Sequence, residues 1–236
     1  MTSSPSWIPA SANPPHLGTL RVTWRGQAYQ LPYLARPGAG ASILFVHGLG
    51  GAKENFLWAV QSPALAQCDL LMFDTPGTGL ARFRPEDALD VSALADLTQL
   101  VAHQLMPGPF FLAGASMGGL ITLLQMRRHG TQRIRGYINI EGNLASEDCM
   151  FSRRAVSHSL EAFRHHVVGE VVQEMRRSPH LGDRIIAHNL ALNVDVRAYH
   201  AYSFETVAES DSEKLLPEFL ALPVPRLFLY GDANRH

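Results

Sequence analysis

Cysteine, lysine and long apolar runs are all scarce in this 236-residue chain, and each scarcity excludes something. Its two cysteines, Cys68 and Cys149, show neither metal-ligand spacing nor the pattern of a disulfide framework. They read as small buried hydrophobes, and no disulfide is expected. No stretch approaches 18 consecutive apolar residues, which excludes a membrane-spanning helix. Lysine supplies 2 of the 20 basic side chains, and the arginines that supply the rest are scattered. Against 21 acidic residues the net charge is -1, so the basic footprint of a nucleic-acid binder is missing. Met1 to Pro15 holds no basic run followed by an apolar one, so neither signal nor transit peptide is read, and a cytoplasmic location is expected.

What is present is an ordinary globular balance, 46% hydrophobic and 17% charged, long enough for one α/β domain. Thr19–Trp24 and Gln27–Leu34 read as a hairpin turning at Arg25-Gly26. Three short apolar runs follow: Ser42–Val46, Leu70–Phe73 and Phe110–Ala113. Such unbroken runs suit strands covered on both faces, and each one runs into a glycine-containing turn. Leu94, Leu97, Val101 and Leu105 recur at helical spacing between them, and Leu120–Arg128 is helical up to Gly130. Ile134–Ile140 and Arg226–Tyr230 complete the strands, and the alternation predicts a mostly parallel sheet with right-handed crossovers. Residues 144–223 break that rhythm: Leu160, Phe163, Val167, Val171 and Met175 fall at helical spacing, predicting an inserted helical cap over the strand ends. The expected organisation is an N-terminal extension at 1–17, the core at 18–143, the cap at 144–223, and the core again at 224–236.

Gly114-Ala115-Ser116-Met117-Gly118 has the form G-x-S-x-G, flanked by an apolar strand and an amphipathic helix. The glycines let a strand turn abruptly into a helix and lift the serine hydroxyl clear of the backbone. His47-Gly48-Leu49-Gly50-Gly51 offers amide groups left unshielded by glycine, so Leu49 and Met117 are candidate donors of an oxyanion hole. His47 and Gly48 are assigned to the substrate-binding surface, with His47 also placed to brace the loop. The turn is not a phosphate loop: G-x-x-x-x-G-K-[ST] is absent, and Lys53 occupies the last glycine position of a G-x-G-x-x-G frame.

These turns, together with Asp74-Thr75-Pro76-Gly77-Thr78-Gly79, resemble the α/β-hydrolase superfamily from Thr19 onward. The resemblance implies acyl transfer with Ser116 as nucleophile, Leu49 and Met117 as oxyanion donors, and a helical cap shaping the pocket. Serine at the elbow disfavours the dehalogenase and epoxide hydrolase relatives, which need a carboxylate nucleophile. Asp232 follows the last strand near the position most family members use for the triad acid, although their aspartate usually lies two or three residues further from the glycine. Glu141 ends the preceding strand, matches the site some relatives use, and is preferred here.

The base is the missing piece. In this fold the order is Ser, acid, His, yet only His236, the terminal residue, follows Asp232. His158, His165, His166, His180, His188 and His200 fall in the expected cap and read as surface or packing residues. The economical expectation is a shortened hydrolase lacking its final strand, base loop and closing helix, with an exposed strand at 226–230 through which chains self-associate. The expected function is a serine hydrolase of a small, hydrophobic ester or related carbonyl, with activity in doubt for this chain. Two alternatives stand beside it: a ligand-binding protein on the same fold, or a carbon-carbon bond hydrolase or acyltransferase using the same serine. Met150, Phe151, Phe163, Tyr199, Tyr202 and Phe204 are candidate pocket walls. No cofactor or metal is implied.

Overall fold

A computed structural model describes residues 14–84 and 86–231. Seven strands form one sheet: β1 (His16–Trp24), β2 (Gln27–Arg36), β3 (Ser42–Val46), β4 (Asp69–Phe73), β5 (Phe110–Ala115), β6 (Ile134–Ile140) and β7 (Arg226–Leu229). Their order is β1-β2-β4-β3-β5-β6-β7. β1 and β2 make an antiparallel hairpin and β2 meets β4 antiparallel, while every pairing from β4 to β7 is parallel. Side chains alternate across a strand, so β3 feeds two cores at once. Leu44 and Val46 face a core shared with Leu71, Phe73 and Leu112, whereas Ile43 and Phe45 pack with Leu70, Met72 and Phe56 on the other side. The apolar run that signals a strand covered on both faces is the same fact seen in sequence.

The helices in chain order are α1 (Leu57–Gln61), α2 (Val91–Leu105), α3 (Met117–His129), α4 (Met150–Val156), α5 (Leu160–Ala162), α6 (Val168–Arg177), α7 (Leu181–Leu192), α8 (Val196–Asp211) and α9 (Leu215–Ala221). Asp90 caps α2 by accepting from the Ala93 amide at 2.7 Å, and Leu94, Leu97 and Val101 form its buried stripe. α3 is buried along its first ten residues, as the central helix behind the elbow must be. No described helix is long and apolar enough to cross a membrane.

Between β6 and β7 the chain is helical. α5 runs through a π-helical turn at Phe163–Val167 into α6, so the predicted helix is continuous in chain but locally widened. Phe163, Val167, Val171 and Met175 join Ala187, Leu190 and Tyr199 in a separate core, while Leu160 keeps 36% of its surface exposed. The helices of 144–223 pack against two different bodies. Leu215 and Phe219 of α9 belong to the main core, where the Phe219 ring meets Tyr137 of β6 at 5.8 Å, and Ala198 and Tyr202 of α8 do likewise. Periodicity marks a segment as helical but does not say which apolar body its stripe will cover. β7 pairs with β6 alone among the described strands, and Leu227 and Leu229 are half exposed there.

Candidate active site

The elbow is built by close approach. β5 leads directly into α3, and Ser116 between them has φ 53° and ψ -127°, a region that non-glycine residues occupy only when their surroundings impose it. The imposition is visible at Gly118, where an added Cβ would lie 2.1 Å from the Val46 carbonyl oxygen. α3 therefore sits against the end of β3 at a distance only glycine permits. The Ser116 amide donates to the Ile140 carbonyl at 2.9 Å, tying the corner to β6, and the residue is exposed. At Gly48 an added Cβ would meet Ser116 Cβ at 2.7 Å, so the 47–51 turn passes directly beside the serine.

That turn rests on two buried polar clusters. The Thr75 amide donates to His47 Nε2 at 3.2 Å, which makes this nitrogen the acceptor and leaves the proton on Nδ1, 2.9 Å from the Gly48 carbonyl oxygen. Thr78 Oγ1 lies 3.1 Å from the same Nε2. Beneath it, Lys53 Nζ is 2.8 Å from Asp74 Oδ2, and the Lys53 and Leu80 amides each donate to that carboxylate at 2.9 Å. Lys53 and Asp74 are 1% and 0% exposed, which makes this a buried ion pair between the two glycine turns. Burial pushes the Lys53 ammonium down, but hydrogen bonds and charge from Asp74 and Glu54 outweigh it, and the net shift is upward. Sequence reading met Lys53 only as a residue that spoils a nucleotide motif; its partner lies 21 residues away and no local pattern announces it.

His47 does not line the cleft, and its contacts are those of a residue that braces the loop. Its ring is buried and turned away from the cleft into the Thr75 and Thr78 hydroxyls, where it braces the turn from behind. Burial holds its pKa below the ordinary histidine value, partly offset by the Gly48 carbonyl and the charge of Asp74. A folded pKa below the unfolded one contributes stability that is present above the unfolded pKa of about 6.5 and lost as pH falls. His47→Gln is therefore expected to flatten the fall in urea midpoint between pH 7 and pH 5 that the unsubstituted protein shows; equal slopes would contradict the assignment.

Ser116 opens on a cleft of about 190 Å³. Gly48, Leu49 and Met117 line it together with Ser116, so the candidate nucleophile and both candidate oxyanion donors meet in one space. Met117 begins α3, where the first amides have no intrahelical acceptor. The wall opposite in sequence comes from the helical insert. Phe151 and Tyr199 line the cleft, whereas Met150 and Phe204 are exposed, Phe163 lies in the insert's own core, and Tyr202 is buried with its hydroxyl on the Pro76 carbonyl at 2.7 Å. Sequence reading missed Asn55, Asn143, Ser152, Met175 and Ile186, which have no shared motif and meet only in the fold. Cys149 also lines the cleft, buried and in no disulfide.

Glu141 is not a wall residue. It follows Ile140, which pairs with Ala115 across β5 and β6, and takes a left-handed φ of 49°. Its carboxylate accepts from the Gly231 amide at 2.7 Å, which places it at the end of β7. Asp232 and His236 lie outside the described residues. No histidine is among the described residues that line the cleft.

A family model described as the alpha/beta hydrolase family matches residues 43–235. This chain belongs to the alpha/beta hydrolase family. Solved hydrolase structures share its fold at low identity. An esterase from Thermogutta terrifontis is 22% identical with a TM-score of 0.68, covering 91% of this chain and 80% of its own. An N-acyl homoserine lactonase, AidH, complexed with N-hexanoyl homoserine, is 16% identical with a TM-score of 0.68, covering 92% and 78%. A structure from a study of carboxylesterases of the thaumarchaeon Nitrososphaera gargenis is 13% identical with a TM-score of 0.67, covering 90% of each chain. No curated protein matches the sequence.

Proposed function

We propose that this alpha/beta hydrolase family member is a serine hydrolase of a small, largely apolar ester or related carbonyl, reacting through an acyl-enzyme on Ser116. The observation that carries this reading is the elbow: an exposed serine at positive φ, beside a glycine turn, in a cleft also lined by Leu49 and Met117. In this reading Ser116 Oγ attacks the carbonyl carbon, and the Leu49 and Met117 amides receive the negative charge that develops on its oxygen. Esterases and a lactonase among the solved structures of the same fold support the reaction class. The small volume and apolar walls, including Leu49, Met175 and Ile186, favour a small apolar acyl or alcohol group. Glu141 is the preferred triad acid over Asp232, supported by its position one residue past the strand pairing with the elbow. No histidine lines the cleft among the described residues, so the reading leaves the base unassigned.

A fluorophosphonate probe read by intact mass tests the nucleophile. One adduct is expected, lost in Ser116→Ala and formed more slowly in Glu141→Gln than in Asp232→Asn. An adduct that survives Ser116→Ala, or none on a well-folded protein, sinks the hydrolase reading and favours the ligand-binding one; the opposite order of the two acid variants sinks the Glu141 assignment.

The same chain is proposed to self-associate through β7, which pairs with β6 alone among the described strands and exposes Leu227 and Leu229. Sedimentation velocity is expected to show a concentration-dependent species that Leu229→Lys removes, and a single monomer at all concentrations would refute it.

A further inference from the structure

Three buried side chains in the cleft hold polar atoms that nothing in the described protein satisfies. Asn143, Ser152 and Tyr199 are 3%, 4% and 6% exposed, and all three line the space in front of Ser116. Asn143 Nδ2 donates to the Asp148 carbonyl at 3.0 Å. A carbonyl only accepts, so this contact fixes the amide orientation and leaves Asn143 Oδ1 as a spare acceptor. Among the described residues, no hydrogen bond reaches Ser152 Oγ, Tyr199 Oη or Asn143 Oδ1. None of the three atoms is sealed from solvent, unlike Arg36 Nε, Gln125 Oε1 and Ser210 Oγ, and all three residues line the cleft. Buried polar groups are normally paired, and three unpaired ones converging on a single cavity point to a ligand.

The set has a readable polarity. Two hydroxyls can donate or accept, the Asn143 amide oxygen can only accept, and its second N–H can only donate. Burial pushes the Tyr199 phenol well up, with a smaller opposing effect from Arg154, so it stays protonated and able to donate at neutral pH. No cation is among the described residues that line the cleft, and its single charged wall residue is Asp148. An anionic ligand would find no counter-charge, and a plain alkyl chain would strip water from three polar atoms without replacing it. A secondary amide answers both sides, its carbonyl accepting from the hydroxyls and its N–H donating to Asn143.

We propose that Asn143, Ser152 and Tyr199 form a polar recognition point for a neutral ester that carries an amide group besides its reactive carbonyl. That this ligand is a substrate rests on Ser116 being the nucleophile; that it binds does not.

The test uses Ser116→Ala protein, in which no turnover intervenes, and two uncharged ligands of matched length, methyl N-butanoylglycinate and methyl heptanoate. Titration calorimetry reads the ratio of their dissociation constants. Replacing Tyr199 by Phe, or Ser152 by Ala, is expected to move that ratio against the amide ligand by about fivefold, the size of one neutral hydrogen bond. If Tyr199→Phe fails to fold, Ser152→Ala carries the comparison. The inference is overturned by a ratio unchanged in the folded variants, by no binding of either ligand at its solubility limit, or by N-butanoylglycine binding as tightly as its methyl ester. An unchanged ratio with Ser116 still labelled removes this inference alone; failed labelling with the expected ratio removes the hydrolase reading and leaves the recognition point standing.

Discussion

Gly118→Ala is expected to abolish most probe labelling at Ser116 and to destabilise the fold together. The added methyl would lie 2.1 Å from the Val46 carbonyl oxygen and 2.7 Å from that of His47, both backbone atoms with no freedom to rotate aside. Helix α3 must move off β3 by an ångström or more. Overpacking of this kind costs about 1–3 kcal/mol, and a misplacement of about 1 Å at a reacting group costs on the order of a hundredfold in rate. Gly169→Ala is the matched control, because an added Cβ in that helix meets nothing within 4 Å. There the change should leave labelling intact and raise stability by about 0.5–1 kcal/mol through helix propensity. Labelling rates with thermal unfolding of both variants check this, and a Gly118→Ala protein that labels normally would show that the elbow tolerates a wider helix-strand gap than the structure has.

The second large effect is on stability. Asp74→Asn removes the carboxylate from a site where Lys53 is 1% exposed, leaving a buried ammonium without its main counter-charge. Breaking such a pair costs about 3–5 kcal/mol, which in a chain of this size lowers the melting temperature by roughly 10 °C. Glu54, 2.6 Å from Lys53 Nζ and half exposed, softens the loss without replacing the two amide bonds that Asp74 accepts. The double variant Lys53→Met with Asp74→Leu should recover part of the lost stability, since removing both charges also removes their desolvation cost. The pH dependence has a definite sign. The Lys53 pKa is raised on folding, so its contribution is fully present below the unfolded value near 10.5 and is lost only as pH rises through the folded one. Unfolding midpoints that show Asp74→Asn as stable as the parent would mean the pair contributes nothing net.

Both effects originate in the two glycine turns, and those turns differ in how much of them could be read from residues alone. The strands β3, β4 and β5 were legible because a strand buried on both faces must be a short apolar run, and such runs stand out against charged neighbours. Ser116 was legible because an abrupt strand-to-helix turn demands glycine at fixed offsets, so the requirement is written within five residues. The bracing role of His47 was legible from its place in the glycine turn, but its partners were not. Which groups its ring meets depends on Thr75 and Thr78, which arrive from the next strand of the sheet. Likewise the candidate wall aromatics shared one composition, yet Tyr199 faces the cleft while Tyr202, one turn along the same helix, faces the main core.

By itself the amino-acid order determined the parallel strands, the elbow serine and the helical insert, because periodicity and glycine placement act over a few residues. Packing alone decided that Lys53 neutralises Asp74, that α9 covers the sheet and not the insert, and that Asn143, Ser152 and Tyr199 share a cavity. Those contacts join segments far apart in the chain, and which side of a helix or turn meets another body is settled only when the bodies come together.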